Sequence, residues 1–214
     1  RMTQLIVQPE LLDFVDVVTS SHNHTDHLDA ETLNPLLSVN PKLTLVVPAA
    51  NQEFAANRLQ IPTSRITPVI VREPVSAGEW TLAAVPAAHE DVARDDSGRH
   101  HYVGFVVQFG PFTVYHSGDT VMFDGLVDHL RVWEIDLAIL PINGQAPERR
   151  VAGNLWGEEA VELAKQIGAG MVIPCHFEMF EFNTATPDEF KRVAQERDQP
   201  YCVLRCGQRW TYQP

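Results

Sequence analysis

The chain has 214 residues, 44% of them hydrophobic and 21% charged, with 16 Lys+Arg against 28 Asp+Glu for a formal charge of −12. That composition supplies one sizeable core and excludes a disordered chain, and the acidic balance argues against nucleic acid or anionic membranes as partners. No apolar run approaches the roughly 20 residues needed to span a bilayer, no basic-then-apolar leader is visible, and three cysteines make no disulfide framework, so a cytoplasmic protein is expected.

No repeat, low-complexity tract or linker interrupts residues 1–214, which read as a single domain. Residues 14–19 form a β-rich run ending in a polar cluster over 20–29. Asp29 has the character of an N-cap, with Glu31 in the first turn of a helix reaching about Leu37. A buried strand is expected over 43–47, between Pro41 and Pro48, and a short helix over 52–59. The middle is β-rich, with strands expected at 69–71, 80–85, 102–109 and 112–115 and a tight turn at Phe109-Gly110-Pro111. Helix and strand then alternate: helices at 123–132, 158–167 and 187–197, the last with Thr186 as cap and Pro187 at its first position, and strands at 135–140 and 171–174. Short strands at 201–204 and 209–212 close the chain. This order predicts an α/β protein with layers of helix and sheet. Two long loops, 90–100 and 143–157, are of the length that usually carries function.

Nine histidines are about twice the usual share for this length. Four candidate metal ligands fall within six residues, His22-Asn23-His24-Thr25-Asp26-His27, between a strand and a helix cap. His22 and His24 alternate, so an extended backbone points both imidazoles the same way, and Asp26 and His27 follow in the turn. A chance His-rich loop is the bland alternative, but the cluster is internal and leads into a well-formed helix start. Single candidates recur downstream at the exits of β-rich runs: His89 in Pro86-Ala87-Ala88-His89-Glu90, Asp119 in His116-Ser117-Gly118-Asp119-Thr120, and His176 in Pro174-Cys175-His176-Phe177. A lone histidine after a strand is more often structural than a ligand, but ligands gather at the carboxyl ends of strands in open α/β sheets. Five histidines and two aspartates suffice for two ions. One would take His22, His24 and His89, and the other Asp26, His27 and His176, with Asp119 able to bridge. Two such ions, typically about 3.5–4 Å apart, would activate a water for hydrolysis. The nitrogen and oxygen donors suit zinc or manganese, with iron as a further candidate.

In this order the motifs HxHxDH, a later His, Gly-Asp and a final His resemble the metallo-β-lactamase superfamily, over nearly the whole chain from Phe14 onward. The resemblance implies a four-layer αβ/βα sandwich with the metal site at one edge of the two sheets. It also implies strands ahead of HxHxDH that the twenty-odd residues before His22 do not supply, so missing N-terminal strands are expected. A narrower likeness rests on Tyr115-His116-Ser117-Gly118-Asp119-Thr120, Leu140-Pro141-Ile142-Asn143-Gly144, Ile173-Pro174-Cys175-His176-Phe177-Glu178-Met179-Phe180 and Asn183-Thr184. These segments resemble the L-ascorbate-6-phosphate lactonase branch. That likeness implies opening of a sugar-acid lactone by a metal-activated hydroxide, and homo-oligomers. The branch usually follows Asn-Gly with an Arg and aromatic residues, whereas here Gln145-Ala146-Pro147-Glu148-Arg149-Arg150 stands there.

Within this reading Asp26 is the candidate proton shuttle as well as a ligand. His100 and His101, Asn143, Arg149, Arg150 and Trp156 are candidates to line the substrate pocket for a small anionic substrate, and Glu90 and His116 to support the ligands. For each, simple packing or solvation is the competing explanation. Cys175 reads as core, and Cys202 and Cys206 as buried thiols. Two other functions compete: a small-molecule or lipid phosphodiesterase of the same superfamily, and a non-catalytic metal-binding structural or regulatory protein.

Overall fold

The computed structural model describes residues 2–149 and 153–212. Strands β1 (Val17–Thr19), β2 (Thr44–Pro48) and β3 (Ile66–Val69) form a parallel sheet in that order. Parallel neighbours need a crossover, and the crossovers are helices α1 (Ala30–Val39) and α2 (Gln52–Leu59). The Asp29 carboxylate caps α1 by accepting from the N–H groups of Glu31 and Thr32, as the sequence predicted.

The second sheet has six strands in sequential order: β4 (Val75–Ala77), β5 (Trp80–Pro86), β6 (Val103–Phe109), β7 (Phe112–His116), β8 (Leu137–Pro141) and β9 (Met171–Cys175). The pairings are antiparallel from β4 to β7 and parallel from β7 to β9. Helices α3 (Leu126–Leu130), α4 (Gly157–Gln166) and α5 (Asp188–Glu196) accompany it.

The two-residue side-chain period of the strands sets the layers. Leu45 and Val47 pack with Leu33, Leu36, Ala55 and Leu59 of the first helical layer. Val46, between them, instead packs with Leu82, Ala84 and Phe105 of the second sheet. On that sheet Ala83, Val85 and Val106 turn outward to meet Leu130 of α3, Val161 and Leu163 of α4 and Phe190 of α5. Helix, sheet, sheet and helix are therefore stacked in four layers. Among the described residues no helix is long and apolar enough to cross a membrane.

Several expected elements move. The strand expected at 69–71 lies at Ile66–Val69, because a turn with Glu73 N–H on the Ile70 carbonyl and Arg72 at φ 73° ends it. β4 was too short to show in the sequence; it joins β5 through Gly78 at φ 62°. The helix expected at 123–132 shrinks to α3, since Gly125 at φ 94° starts it late. Pro187 is the cap residue of α5, displacing Thr186 from that place. The segments 201–204 and 209–212 are not strands, and only Tyr201 bridges to Val172. Cys202 is half-buried and Cys206 exposed, against the expectation of buried thiols, while Cys175 is half-buried.

Direction is what places the site. β5, β7, β8 and β9 run the same way, so their carboxyl ends share one edge. The exit of β1 is tied to that edge by Val103 N–H on the Ser21 carbonyl at 3.1 Å.

Candidate metal centre

Every ligand expected from the sequence leaves a strand at this edge. After β1, the Ser20 N–H bonds the Val46 carbonyl at 3.0 Å and its hydroxyl bonds the His22 carbonyl at 2.9 Å, which turns the chain inward. The N–H groups of His27 and Leu28 both close on the His24 carbonyl, at 3.1 and 2.8 Å. From α2, Arg58 Nη1 donates to the carbonyls of Asn23 and Leu28, at 2.5 and 3.3 Å, and so clamps both ends of the motif. His89 follows β5, Asp119 follows β7 and His176 follows β9. His176 sits at φ 59°, a left-handed backbone costing roughly 1–2 kcal/mol for a residue with a side chain. Strain of this kind concentrates at functional positions.

The side chains converge in two groups. His22, His24 and His89 offer donor atoms within 4.8 Å of one another, as do Asp26, His27, Asp119 and His176. Asp119 joins the groups: its Oδ2 is 3.3 Å from His89 Nε2 and 3.3 Å from His176 Nε2, and its Oδ1 is 3.2 Å from His27 Nε2. Asp26 Oδ2 lies 3.5 Å from His176 Nε2 and 3.7 Å from His27 Nε2. His22, His89 and Asp119 are buried. His22 Nε2 and His176 Nδ1 are buried without a protein partner among the described residues, where native interiors leave few such atoms. A cluster of imidazole nitrogens and carboxylates, with the buried Nε2 of His22 left unpartnered among the described residues, fits divalent cations and is able to bind them.

The outward-facing imidazole nitrogens have partners that the sequence did not reveal. His89 Nδ1 lies 2.7 Å from the Gly153 carbonyl, and since a carbonyl only accepts, Nδ1 carries the proton and Nε2 is left with its lone pair. Ser21 Oγ stands 3.0 Å from Nδ1 of His22 and 3.0 Å from Nδ1 of His27.

Electrostatics agree with this arrangement. Burial, reinforced by the neighbouring His27, lowers the His22 pKa to about 2, so the imidazole is neutral. Burial also lowers His24, with His89 adding to the effect. Burial pushes the Asp26 carboxyl up but is outweighed by the hydrogen bond from His176 and the charge of His27, leaving it at about 2. Asp119 is held well below the usual carboxylate range in the same way, by His176 and His27 against its burial. Burial lowers His176, and Asp119 and Asp26 reverse that, raising it to about 10.

The site opens into a cleft of about 1180 Å³ bordered by His24, Asp26, His27, His89, Asp119 and His176. Phe54 and Arg58 of α2, and Met179, Phe180, Phe182 and Asn183 after β9, make its outer walls. The remaining sequence candidates lie elsewhere. His101 is turned to Asn51, with Nδ1 3.0 Å from Oδ1, and it is the adjacent Tyr102 that borders the cleft. The phenol of Tyr102 is pushed up by its partial burial, with Glu90 adding to the effect. His100 is absent from the cleft wall too. Asn143 is buried behind the wall, its Nδ2 donating to Asn183 Oδ1 at 2.9 Å. Arg149 donates to the Asn143 carbonyl and stacks 5.8 Å from the Trp156 ring centroid, and neither side chain borders the cleft. Arg150 lies outside the described residues. Glu90 is exposed and makes no bond to a ligand among the described residues; His116 Nδ1 accepts from the Gly118 N–H at 3.0 Å, so it props a turn and not an imidazole.

Fold and cluster together define a metallo-hydrolase-like α/β sandwich. A profile of the beta-lactamase superfamily domain matches residues 2–177, and the chain belongs to the metallo-β-lactamase superfamily. It is 29% identical over 194 residues to a UPF0173 metal-dependent hydrolase of Sulfolobus acidocaldarius, covering 91% of this chain and 79% of that relative. Among solved structures, an isothiocyanate hydrolase from Delia radicum gut bacteria superposes with a TM-score of 0.75 at 18% identity, over 99% of this chain and 82% of the other. The metallo hydrolase Igni18 of Ignicoccus hospitalis gives 0.72 at 20% identity, over 92% and 79% of the two chains. At these identities the structural likeness speaks for the fold.

Proposed function

We propose that the chain is a metal-dependent hydrolase that opens an ester-type carbonyl bond, a sugar-acid lactone being the substrate its lactonase-like motifs favour. The observation that carries the reading is Asp119, whose one carboxylate faces His89 of the first donor group and both His27 and His176 of the second. In this reading His22, His24 and His89 would hold one ion, and Asp26, His27 and His176 the other, with Asp119 lending its carboxylate to both groups. Divalent ions held there, zinc or manganese before iron, would supply polarisation of a carbonyl oxygen and a lowered pKa for water.

The chain's own contribution is placement and charge. His22 is kept neutral by burial and is ready to donate a lone pair. Asp26 and Asp119 are kept ionised, so the cluster attracts cations. Asp26 is shared with His27 and His176 and acts as a ligand here, which leaves its role as proton shuttle secondary. Hydrolysis adds water to the carbonyl carbon and expels an alkoxide, and that alkoxide needs a proton from another group.

A second reading, a phosphodiesterase on a lipid-like substrate, has one observation in its favour. Phe54 and Phe182 of the cleft wall are 43% and 61% exposed and would suit an apolar chain. Arg58 is the one Lys or Arg among the described residues of that wall, and its Nη1 already serves two backbone carbonyls. A phosphorylated sugar therefore has little to hold it there.

Metal analysis coupled to turnover tests both. The expected result is two ions per chain and hydrolysis of aldonolactones and p-nitrophenyl butyrate that chelation abolishes and metal restores. Turnover of bis(p-nitrophenyl) phosphate alone would favour the second reading. A chelator-resistant rate on the lactones, or metal-loaded protein inert on all three, would overturn the assignment.

A further inference from the structure

We infer that Tyr102 is a further catalytic residue, the acid that protonates the departing alkoxide. The inference rests on the carbonyl-hydrolase reading above. Tyr102 borders the cleft, and its ring centroid lies 5.2 Å from that of His22, 6.0 Å from His24 and 5.7 Å from His89. It is thus against all three imidazoles of one donor group. The backbone around it is pinned from two sides: its carbonyl accepts from Ala87 N–H at 3.1 Å, and Asn51 Nδ2 donates to the next carbonyl back, that of His101, at 2.7 Å.

Elimination among the cleft's protic groups leads to the same place. Asp26 and Asp119 are ionised and committed to histidines. His24 and His176 are ligands in this reading, the Nδ1 atoms of His22 and His27 are committed to Ser21, and that of His89 to Gly153. Thr19, Thr25 and Thr32 carry aliphatic hydroxyls, no more acidic than the alcohol they would have to protonate. A phenol, with an ordinary pKa of about 10, is several orders of magnitude more acidic than an alkanol and remains protonated at neutral pH. The step balances without a further reactant. As the acyl C–O bond breaks, its electron pair stays on the leaving oxygen, which takes the Tyr102 O–H proton and departs as an alcohol; the phenolate is reprotonated by solvent. In a lactone the new hydroxyl stays tethered to the acid.

The test compares ethyl butyrate, whose leaving group needs a proton, with p-nitrophenyl butyrate, whose leaving group is a stable anion. For Tyr102→Phe in the metal-loaded protein, kcat/KM on the ethyl ester should fall roughly 100-fold or more, and the loss on the nitrophenyl ester should be at least about tenfold smaller. The absorption spectrum of the cobalt-substituted variant should match that of the wild type, since the ligands are untouched. Equal losses on both esters, or an altered cobalt spectrum, would reduce Tyr102 to packing against the histidines and overturn the proposal. The wild type gives an independent answer across a series of alkyl and aryl butyrates: a shallow dependence of rate on leaving-group basicity supports an acid, and a steep one denies it. If the metal-loaded wild type cleaves no ester at all, the carbonyl-hydrolase reading fails first and the role of Tyr102 falls with it.

Discussion

His89 and Gly153 are joined by a 2.7 Å hydrogen bond across 64 residues of sequence, and that bond decides which imidazole nitrogen faces the cleft. Gly153 therefore supports a candidate ligand from behind, and none of the described residues of 143–157 borders the cleft. A Cβ built on Gly153 would lie 2.6 Å from Cγ of Gln145, so a side chain there displaces either Gln145 or the carbonyl. Gly153→Val should weaken metal binding about 10- to 100-fold, the usual cost of losing an outer partner of a ligand histidine. Gly153→Val combined with Gln145→Ala should recover part of the loss. Competition with a chromophoric chelator measures both.

Ser21 offers one oxygen to two imidazoles, each belonging to a different donor group. A hydroxyl has two acceptor lone pairs, so Nδ1–H of His22 and of His27 can both donate to it, leaving each Nε2 for a cation. Ser21→Ala should lower affinity for both ions, by about tenfold each, with the fold unchanged by circular dichroism. Loss confined to one ion would show that the two imidazoles do not share this anchor.

What could be read from the chain alone was chemistry packed into consecutive residues or marked by strand exits. His22 to His27 is a dense local signal, and His89, Asp119 and His176 each follow an apolar run, so the edge of the sandwich is legible in the sequence. The partners of those ligands were not, because Ser21 is an ordinary residue and Gly153 acts through its backbone from a distant loop. Tyr102 shows a different limit. His101 and Tyr102 both sit in the bend just ahead of β6, and the sequence does not say which of them faces the cleft; chemical suggestiveness favoured the histidine, and the folded chain turns the tyrosine to it. Likewise the apolar residues Ile70 and Val71 look like strand, but the left-handed turn at Arg72 leaves them only isolated bridges.

In the metal-free protein His176 is a cation standing among carboxylates, its pKa raised to about 10 by Asp119 and Asp26 against the effect of burial. A cation that takes its place must displace that proton. Below about pH 10, metal affinity at this group should therefore rise about tenfold per pH unit, with one proton released per ion bound there. Calorimetric titration in buffers of different ionisation enthalpy counts the proton. His176→Gln should bind more weakly and lose that proton from the count; an unchanged proton count would sink the assignment.

The stability of the metal-free protein should carry a pH signature of its own from His116. Burial, with His27 adding to it, lowers its pKa to about 4, and it holds the Gly118 N–H through a neutral Nδ1. The unfolded chain takes up a proton near the ordinary histidine value of about 6.5, while the folded chain does not until about pH 4. Between those values the unfolded state binds more protons, so stability is full above about pH 6.5 and declines as the pH falls. His22, lowered to about 2 by burial and His27, acts in the same direction. Moving from pH 7 to 5 should cost about 1–2 kcal/mol for His116, a fall of a few degrees in Tm for a chain of this size. Asn at position 116 can still accept from Gly118 but has no proton to gain. His116→Asn should therefore flatten the decline in a chelator-treated thermal melt, and a slope identical to the wild type would show that His116 is not its source.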